Sequence, residues 1–394
     1  MTPDSQDDLL ITGWGHTPFG RSEDDLEALI GRAVRDAIQH AGLEARDIDE
    51  VWLGNFNAGL QEFASPSSLV LGADVGLWGV PVTHVENACA SGSSAFQAGV
   101  RAARSGLARN VLVVGAEKMT AAPAETVGRA LMSADFDHAG EVSSTGFAQL
   151  FAAVANAYEQ QWGSPSDAMG AIAHKNHQNG LLNPLAHLHK DFSVEFCRTV
   201  SEKNPAVAGL LRRSDCSPVS DGAAALVLSR AADRSGGAAT EGVRVLGTGH
   251  ANDHVRGAQR DPLAFAGSAR AWNQALDRAG VAVEDLSLVE LHDCFTIAEL
   301  ALYEVLGLAD PGQGIAELES GRFHRDGALP VNASGGLKAK GHPVGATGVS
   351  QLVQASMQLT GTAGESQLPT AQVAAVHNMG GLGLANNVAV LAAR

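Results

Sequence analysis

The sequence predicts an α/β protein built from two duplicated halves of strand–helix–strand (βαβ-type) units, with a polar insertion in the first half. Three observations predict it. First, residues 32–56, RAVRDAIQHAGLEARDIDEVWLGNF, recur as residues 270–295, RAWNQALDRAGVAVEDLSLVELHDCF. Arg32, Ala33, Ala37, Ala41, Gly42, Asp47, Val51, Leu53 and Asn55 match Arg270, Ala271, Ala275, Ala279, Gly280, Asp285, Val289, Leu291 and Asp293 at a constant offset, which carries Ala41 to Ala279 and Val51 to Val289. The match spans a helix, its glycine stop and a strand, so chance is a poor account of it. Second, NVLVVGAEKM at 110–119 is apolar throughout, the signature of a strand buried on both faces in a mainly parallel sheet. Third, residues 120–215 cluster polar residues, Pro and His without a counterpart in the second half, and read as a loop or cap insertion. The halves are then 1–235 and 236–394.

Taken in order, residues 9–15 read as a strand. A helix follows, with Ser22 as N-cap and Asp25 three residues on adding a capping box. Leu26, Leu29, Ile30, Ala33, Val34, Ala37 and Ile38 form its apolar stripe, and Gly42 stops it. Val51–Gly54 is a short strand ending at Asn55. A helix begins near Ser91 with Phe96, Val100 and Ala103 on one side. The insertion holds helices around 145–161 and 166–179. Asp221–Ser229 returns to strand, 231–242 is a Gly/Ala-rich connector, Val243 opens the second half, and Ala385–Ala392 closes it with a strand of the same kind.

With 394 residues, 45% hydrophobic and 18% charged, the chain reads as a soluble globular protein with more than one core. A net charge of −16 argues against nucleic acid or an anionic membrane surface as partner. No apolar run approaches the roughly 20 residues of a membrane span. The N-terminus, MTPDSQDD, lacks a signal-peptide pattern, and LAAR is not a peroxisomal address. A cytoplasmic, reducing compartment and free thiols are expected by elimination.

Four pieces could carry chemistry. Cys89 lies in NACASG after a strand and at the mouth of a helix, where free N–H groups would lower a thiol pKa; otherwise it is a buried apolar thiol. Cys294 lies in LHDCFT, at the C-terminal end of the repeated strand, with His292 two residues before it. His342 sits in VNASGGLKAKGHPVGATG between Gly341 and Pro343, on an extended loop whose Pro343 could open a helix. HNMGGLG at 377–383 offers glycine N–H groups, Gly380 among them, as an oxyanion hole. A zinc site of Cys89, Cys294, His292 and His342 is disfavoured, since no C-x-x-C or H-x-x-x-H pair occurs among them. His174, His177, His187 and His189 read as a solvated or substrate-facing polar surface, and Cys197 and Cys216 as structural.

Together these segments resemble the thiolase superfamily over essentially the whole chain. ENACASGSSA resembles its nucleophile segment and NASGGLKAKGHPVGATG its Gly-His-Pro segment. Many thiolases carry Asn-Glu-Ala-Phe and a C-terminal Cys-x-Gly. This chain has HDCF at 292–295 and HNMGG at 377–381 instead, with Asn378 in the place of that cysteine, the pattern of the sterol-carrier-protein and archaeal branches. The resemblance implies a thiolase-like fold with layered α/β/α/β/α architecture. It also implies a coenzyme A acyltransferase of the acetyl-CoA acetyltransferase type, which makes or cleaves 3-ketoacyl-CoA by Claisen chemistry. Cys89 would be the nucleophile with His342 as base, and Cys294 would move the α-proton. His342 and His292 would hold the enolate, and the N–H groups of Cys89 and Gly380 the tetrahedral oxyanion. Coenzyme A and acetyl-CoA enter as substrates, with no permanent cofactor and no metal. The insertion would hold coenzyme A, with Arg212, Arg213, Lys203 and Arg198 as candidates for its phosphates. A homodimer or tetramer and a small OB-fold partner are further implications. A retro-aldol lyase working with such a partner, or a non-catalytic CoA-binding protein, are the other readings of the same fold.

Overall fold

A computed structural model describes residues 8–233 and 242–394. The first half runs β1 (Leu9–His16), α1 (Leu26–His40), β2 (Glu50–Gly54), β3 (Val82–Val85), α2 (Ser91–Ser105) and β4 (Asn110–Glu117). Then come α3 (Ala124–Met132), α4 (Ala148–Trp162), α5 (Ser166–Leu181), α6 (Val194–Arg198), the small hairpin β5 (Ala206–Ala208) and β6 (Leu211–Arg212), and β7 (Gly222–Arg230). The second half runs β8 (Val243–Asn252), α7 (Ala266–Ala279), β9 (Leu288–Glu290), α8 (Thr296–Val305), α9 (Gly314–Glu319), α10 (Gly336–Lys340), α11 (Thr347–Leu359), β10 (Val373–Gly380) and β11 (Ala385–Ala392). Most of the expected 231–242 connector, and the boundary drawn at 235/236, lie outside the described residues.

The apolar stripe of α1 is buried as its spacing requires. Its cap is one turn later than expected: Asp25, not Ser22, accepts from the Ala28 N–H at 2.8 Å, while Ser22 Oγ accepts from Asp24 N in the preceding turn. The repeat is structural. Gly42 and Gly280 both end their helices at positive φ, and Asp47 and Asp285 close matching turns on the N–H groups of Glu44 and Ala282.

The sheet order among the described residues is β3-β2-β4-β7-β1-β8-β11-β10-β9. It is mixed rather than mainly parallel. β3, β2 and β4 run parallel, as do β9 and β10. β7 inserts between β4 and β1 against both, and β11 does the same between β10 and β8. For β10 and β11 the reason is local: a turn of residues 381–384 is long enough only for a hairpin, and hairpin strands are antiparallel.

Side chains alternate across both buried faces. On β4, Leu112 and Val114 face the core under α1, whereas Val111 and Val113 face the core that holds α2 and α11. On β11, Ala389 and Leu391 face that same central core, and Val388 and Val390 face the core under α7 and α8. The result is five layers: α1, the first half of the sheet, α2 with α11, the second half, and α7 with α8.

Close helix–strand contact sets which residues are glycine. A Cβ on Gly15 of β1 would lie 2.2 Å from the Ala33 carbonyl of α1, and one on Gly249 of β8 would lie 1.8 Å from the Ala271 carbonyl of α7. Ala33 and Ala271 are partners in the repeat. Gly249→Ala is therefore expected to lower the unfolding free energy by at least the ~1–3 kcal/mol typical of overpacking, seen as a lower denaturant midpoint at unchanged slope. The same logic joins the halves. A Cβ on Gly92 of α2 would lie 2.5 Å from the Gly345 carbonyl, and one on Gly348 of α11 2.4 Å from Ser93 N. The first turns of the two central helices touch, which carries the loops before them, with Cys89 and His342, to one point.

Candidate active site

Cys89 is set by a strained turn. Ala88 takes φ +50°, a conformation costing a β-carbon-bearing residue of order 1–3 kcal/mol. Hydrogen bonds hold it there: Ala88 N donates to Glu86 Oε1 (2.6 Å), Ser91 Oγ to the Ala88 carbonyl (2.7 Å), and Asn87 Nδ2 to Ser94 Oγ (2.9 Å). Cys89 follows at the opening of α2 and is buried. The N–H of Gly381 reaches its sulfur; Gly380, the expected donor, ends β10 packed on the Asn87 carbonyl.

His342 is held by a buried carboxylate. Glu117 Oε2 accepts from both Gly345 N (2.9 Å) and Phe56 N, and Oε1 from Asn57 N, stapling the Gly-His-Pro loop to residues 56–57. Pro343 does not open the helix. Its carbonyl accepts from Ala346 N and Thr347 N in a lead-in turn, and α11 starts at Thr347. His292 and Cys294 are fixed from below. Leu291 N donates to Asn332 Oδ1 (2.7 Å), and the Asp293 carboxylate accepts from Leu337 N, Lys338 N and Asn176 Nδ2. Ser217 N donates to the Cys294 carbonyl at 3.0 Å.

Ligand atoms of Cys89, His292 and His342 lie within 4.8 Å of one another, and the two imidazoles meet edge to face at 5.2 Å. Their partners assign different tautomers. Thr347 Oγ1 donates to the Pro343 carbonyl (3.0 Å), so at its 2.6 Å contact with His342 it accepts from Nδ1–H. That leaves His342 Nε2 a bare acceptor. Asn378 Nδ2 instead donates to His292 Nδ1 (2.8 Å), while Asn378 Oδ1 accepts from Ser93 Oγ (2.6 Å). His292 Nε2 therefore carries the proton, and it is buried without a partner. Burial keeps both rings neutral: His342 is pushed down to about 3, helped by nearby Lys340, and His292 lies well below its ordinary value, with His342 the next cause. The sequence alone gives Asn378 no role and does not single out Thr347, although Thr347 stands five residues after His342 in the same motif.

The helix N-terminus does not give Cys89 a low pKa. Burial outweighs it and pushes the thiol up to about 12, with the Gly381 N–H only partly restoring it. Cys294 lies well above its ordinary value, first through burial and then through Cys89 beside it. The thiolate fraction of both then rises with pH throughout the neutral range. Alkylation of Cys89 by iodoacetamide should climb about tenfold per pH unit between roughly pH 7 and 9, because only the thiolate reacts. A rate already flat at neutral pH would contradict the assignment.

Two cavities flank the site. One of about 320 Å³ is lined by Phe56, Asn87, Ala88, Gly380 and Gly381. The other, about 700 Å³, lies under residues 188–219; Cys216 to Val219 in its wall bridge to Phe295 and His342. Cys216 is half-buried and lines this cavity. Arg213 and Lys203 line it, but Arg212 does not. Arg212 is buried, paired to Asp215 at 2.8 Å, and its guanidinium donates to the Arg198 and Ser166 carbonyls, so its charge is already matched and it is turned away from the cavity. The insertion histidines differ: His189 is exposed as expected, His174 and His187 are half-buried, and His177 is buried. His177 is buried edge-on to Phe192, and His174, His187 and His189 bond to the Phe192 carbonyl, Ser220 Oγ and the Asn183 carbonyl.

The thiolase N-terminal domain family matches residues 9–232, and the thiolase C-terminal domain-like family residues 249–393. The chain belongs to the thiolase family. It is 35% identical to an acetyl-CoA acetyltransferase of Methanothermobacter thermautotrophicus over 95% of this chain and 97% of that protein. It is 31% identical to human sterol carrier protein 2 over 94% of this chain and 70% of that one. Among solved structures, the Ltp2-ChsH2(DUF35) aldolase superposes with a TM-score of 0.80 at 21% identity, covering 98% of both chains; this likeness speaks for the thiolase-family fold alone. No helix among the described residues of this thiolase-family chain is long and apolar enough to cross a membrane.

Proposed function

We propose that the chain is a thiolase that makes or cleaves 3-ketoacyl-CoA through an acyl-Cys89 intermediate. The observation that carries this is the complementary tautomer pair around one buried thiol: a bare Nε2 on His342 and a protonated Nε2 on His292. Cys89 Sγ attacks the thioester carbonyl as its proton passes to His342 Nε2. The C–S bond to coenzyme A breaks, and His342 returns the proton to the departing sulfur. The Gly381 N–H and the helix-opening N–H of Cys89 hold the oxyanion, each such donor typically lowering the barrier by ~2.7–4 kcal/mol. In the second step Cys294, having lost its thiol proton to solvent, takes a proton from the Cα of acetyl-CoA as thiolate, and it regains a proton from solvent at the end of the cycle. The carbanion joins the acyl carbonyl, the Cys89–acyl bond breaks, and the proton passes on to Cys89. His292 Nε2–H donates to the thioester oxygen that becomes the enolate. A raised Cys294 pKa suits this work, since a thiolate formed there is a strong base.

Lys190, Lys203 and Arg213 at the larger cavity are the proposed seats of the coenzyme A phosphates. Self-association, a small OB-fold partner and a cytoplasmic location belong to the same proposal, as does the division into halves with an insertion at 120–215. The exposed edge strand β3 supports self-association, and the pairing of Ltp2 with ChsH2(DUF35) in the solved aldolase supports a partner. The test is thiolysis of acetoacetyl-CoA, alone and with a DUF35-type partner. One free coenzyme A should be consumed per molecule cleaved. Cleavage without consumption of coenzyme A would indicate a lyase, and binding without cleavage a CoA-binding protein.

A further inference from the structure

Four lysines are buried among the described residues, and three have partners. Lys118 pairs with Asp221 at 2.8 Å, Lys175 with Glu299 at 2.9 Å, and Lys340 Nζ donates to Ser350 Oγ at 2.6 Å. Lys338 is the exception. It is 3% exposed, lines the 700 Å³ cavity, and its Nζ makes no hydrogen bond or ion pair among the described residues. Its nearby acids are already engaged. Asp215 takes the Arg212 guanidinium and the Thr296 hydroxyl, and Asp293 takes two α10 N–H groups and Asn176. A buried ammonium without a counter-ion is costly, and burial accordingly lowers the Lys338 pKa. An anionic ligand in the cavity would remove that cost.

Position decides which anion. Lys338 N donates to Asp293, the residue between His292 and Cys294, and Cys216 in the same wall pairs with Phe295. Lys338 thus lines the wall of the cavity that backs onto the His292–Phe295 segment. The phosphates of coenzyme A lie at the other end of the pantetheine arm, where the exposed Lys190, Lys203 and Arg213 are available, with Glu202 the one carboxylate lining the cavity among the described residues. Leu188, Phe192 and Phe196 give the space near Lys338 an apolar wall suited to methylenes. We propose that Lys338 binds a carboxylate on the acyl group, so that the preferred substrates are acyl-CoAs ending in a carboxylate rather than a methyl. The proposal rests on the thiolase reading and names its substrate class.

Calorimetric titration of the full-length Cys89→Ala protein tests this without turnover. Glutaryl-CoA should bind at least ~10-fold tighter than pentanoyl-CoA, the scale of one charge-assisted hydrogen bond. Lys338→Met should abolish the difference by weakening glutaryl-CoA alone, and Lys338→Arg should keep part of it. Equal binding of the two thioesters would overturn the proposal. So would a Lys338→Met protein that weakens both alike; if dephospho-CoA thioesters then escape that loss, Lys338 reads a phosphate of coenzyme A. Thiolysis of acetoacetyl-CoA by the unaltered protein reports separately on the thiolase reading, and its failure leaves the titration interpretable.

Discussion

Cys294→Ala is expected to acylate Cys89 at close to the unaltered rate and to stop there. Cys294 has no part in the proposed first step: there the proposed base for Cys89 is His342, whose Nδ1 is fixed by Thr347. The second step needs a base at the α-carbon, and positioned acid–base groups typically contribute ~10²–10⁴-fold. Condensation should fall by that factor or more, while a rapid-quench assay still finds one acyl group per Cys89. The small change in volume and the firm seat of this loop, with Asp293 bound from both α10 and α5, argue that the fold survives the substitution. Condensation at the unaltered rate would mean that another group takes the proton.

Substituting the two histidines should separate the two steps in the opposite sense. His342→Gln removes the proposed base and should slow acylation itself by ~10²–10⁴-fold. His292→Gln leaves that base in place but alters the donor aimed at the enolate oxygen, a class of loss worth ~10²–10³-fold in turnover, and should appear mainly in condensation. The pH profile carries the same information. His342 is lowered to about 3 by burial, so it stays unprotonated as pH falls through the usual histidine value of 6.5. The acid limb of acylation should therefore lie well below pH 6.5. A limb centred near 6.5 would place a solvated imidazole at the site and contradict the buried pair. Equal effects of both substitutions on acylation would contradict the division of labour.

Much of this is readable in the chain because it rests on local pattern. The duplication shows in Ala33 and Ala271, which sit over Gly15 and Gly249 in the two halves. The candidate reactive residues show because each stands in a short, peculiar segment: Cys89 between alanines, His342 between glycine and proline. What escapes depends on contacts distant in sequence. No local rule sets β7 between β1 and β4, or pairs Asn378 with His292 across 86 residues. Arg212 looks free in the sequence because the carbonyls that hold it, of Ser166 and Arg198, lie far along the chain; they reach it only once α5 and α6 fold around it. The pKa of Cys89 differs from expectation for a related reason. The helix N-terminus is visible in sequence, whereas the depth of burial that outweighs it is a property of the packed halves. Lys338 is the converse: that its ammonium bonds to nothing among the described residues becomes visible only when every other buried lysine has been seen to have a partner.

The central claim is that Cys89 is the sulfur that carries the acyl group. Mass spectrometry of the intact, full-length protein after brief exposure to acetyl-CoA, followed by peptide mapping, tests it most directly. The account predicts a single added acetyl group on the peptide containing Cys89, removed by free coenzyme A and absent from Cys89→Ala. No adduct, or an adduct that persists in Cys89→Ala, would contradict it.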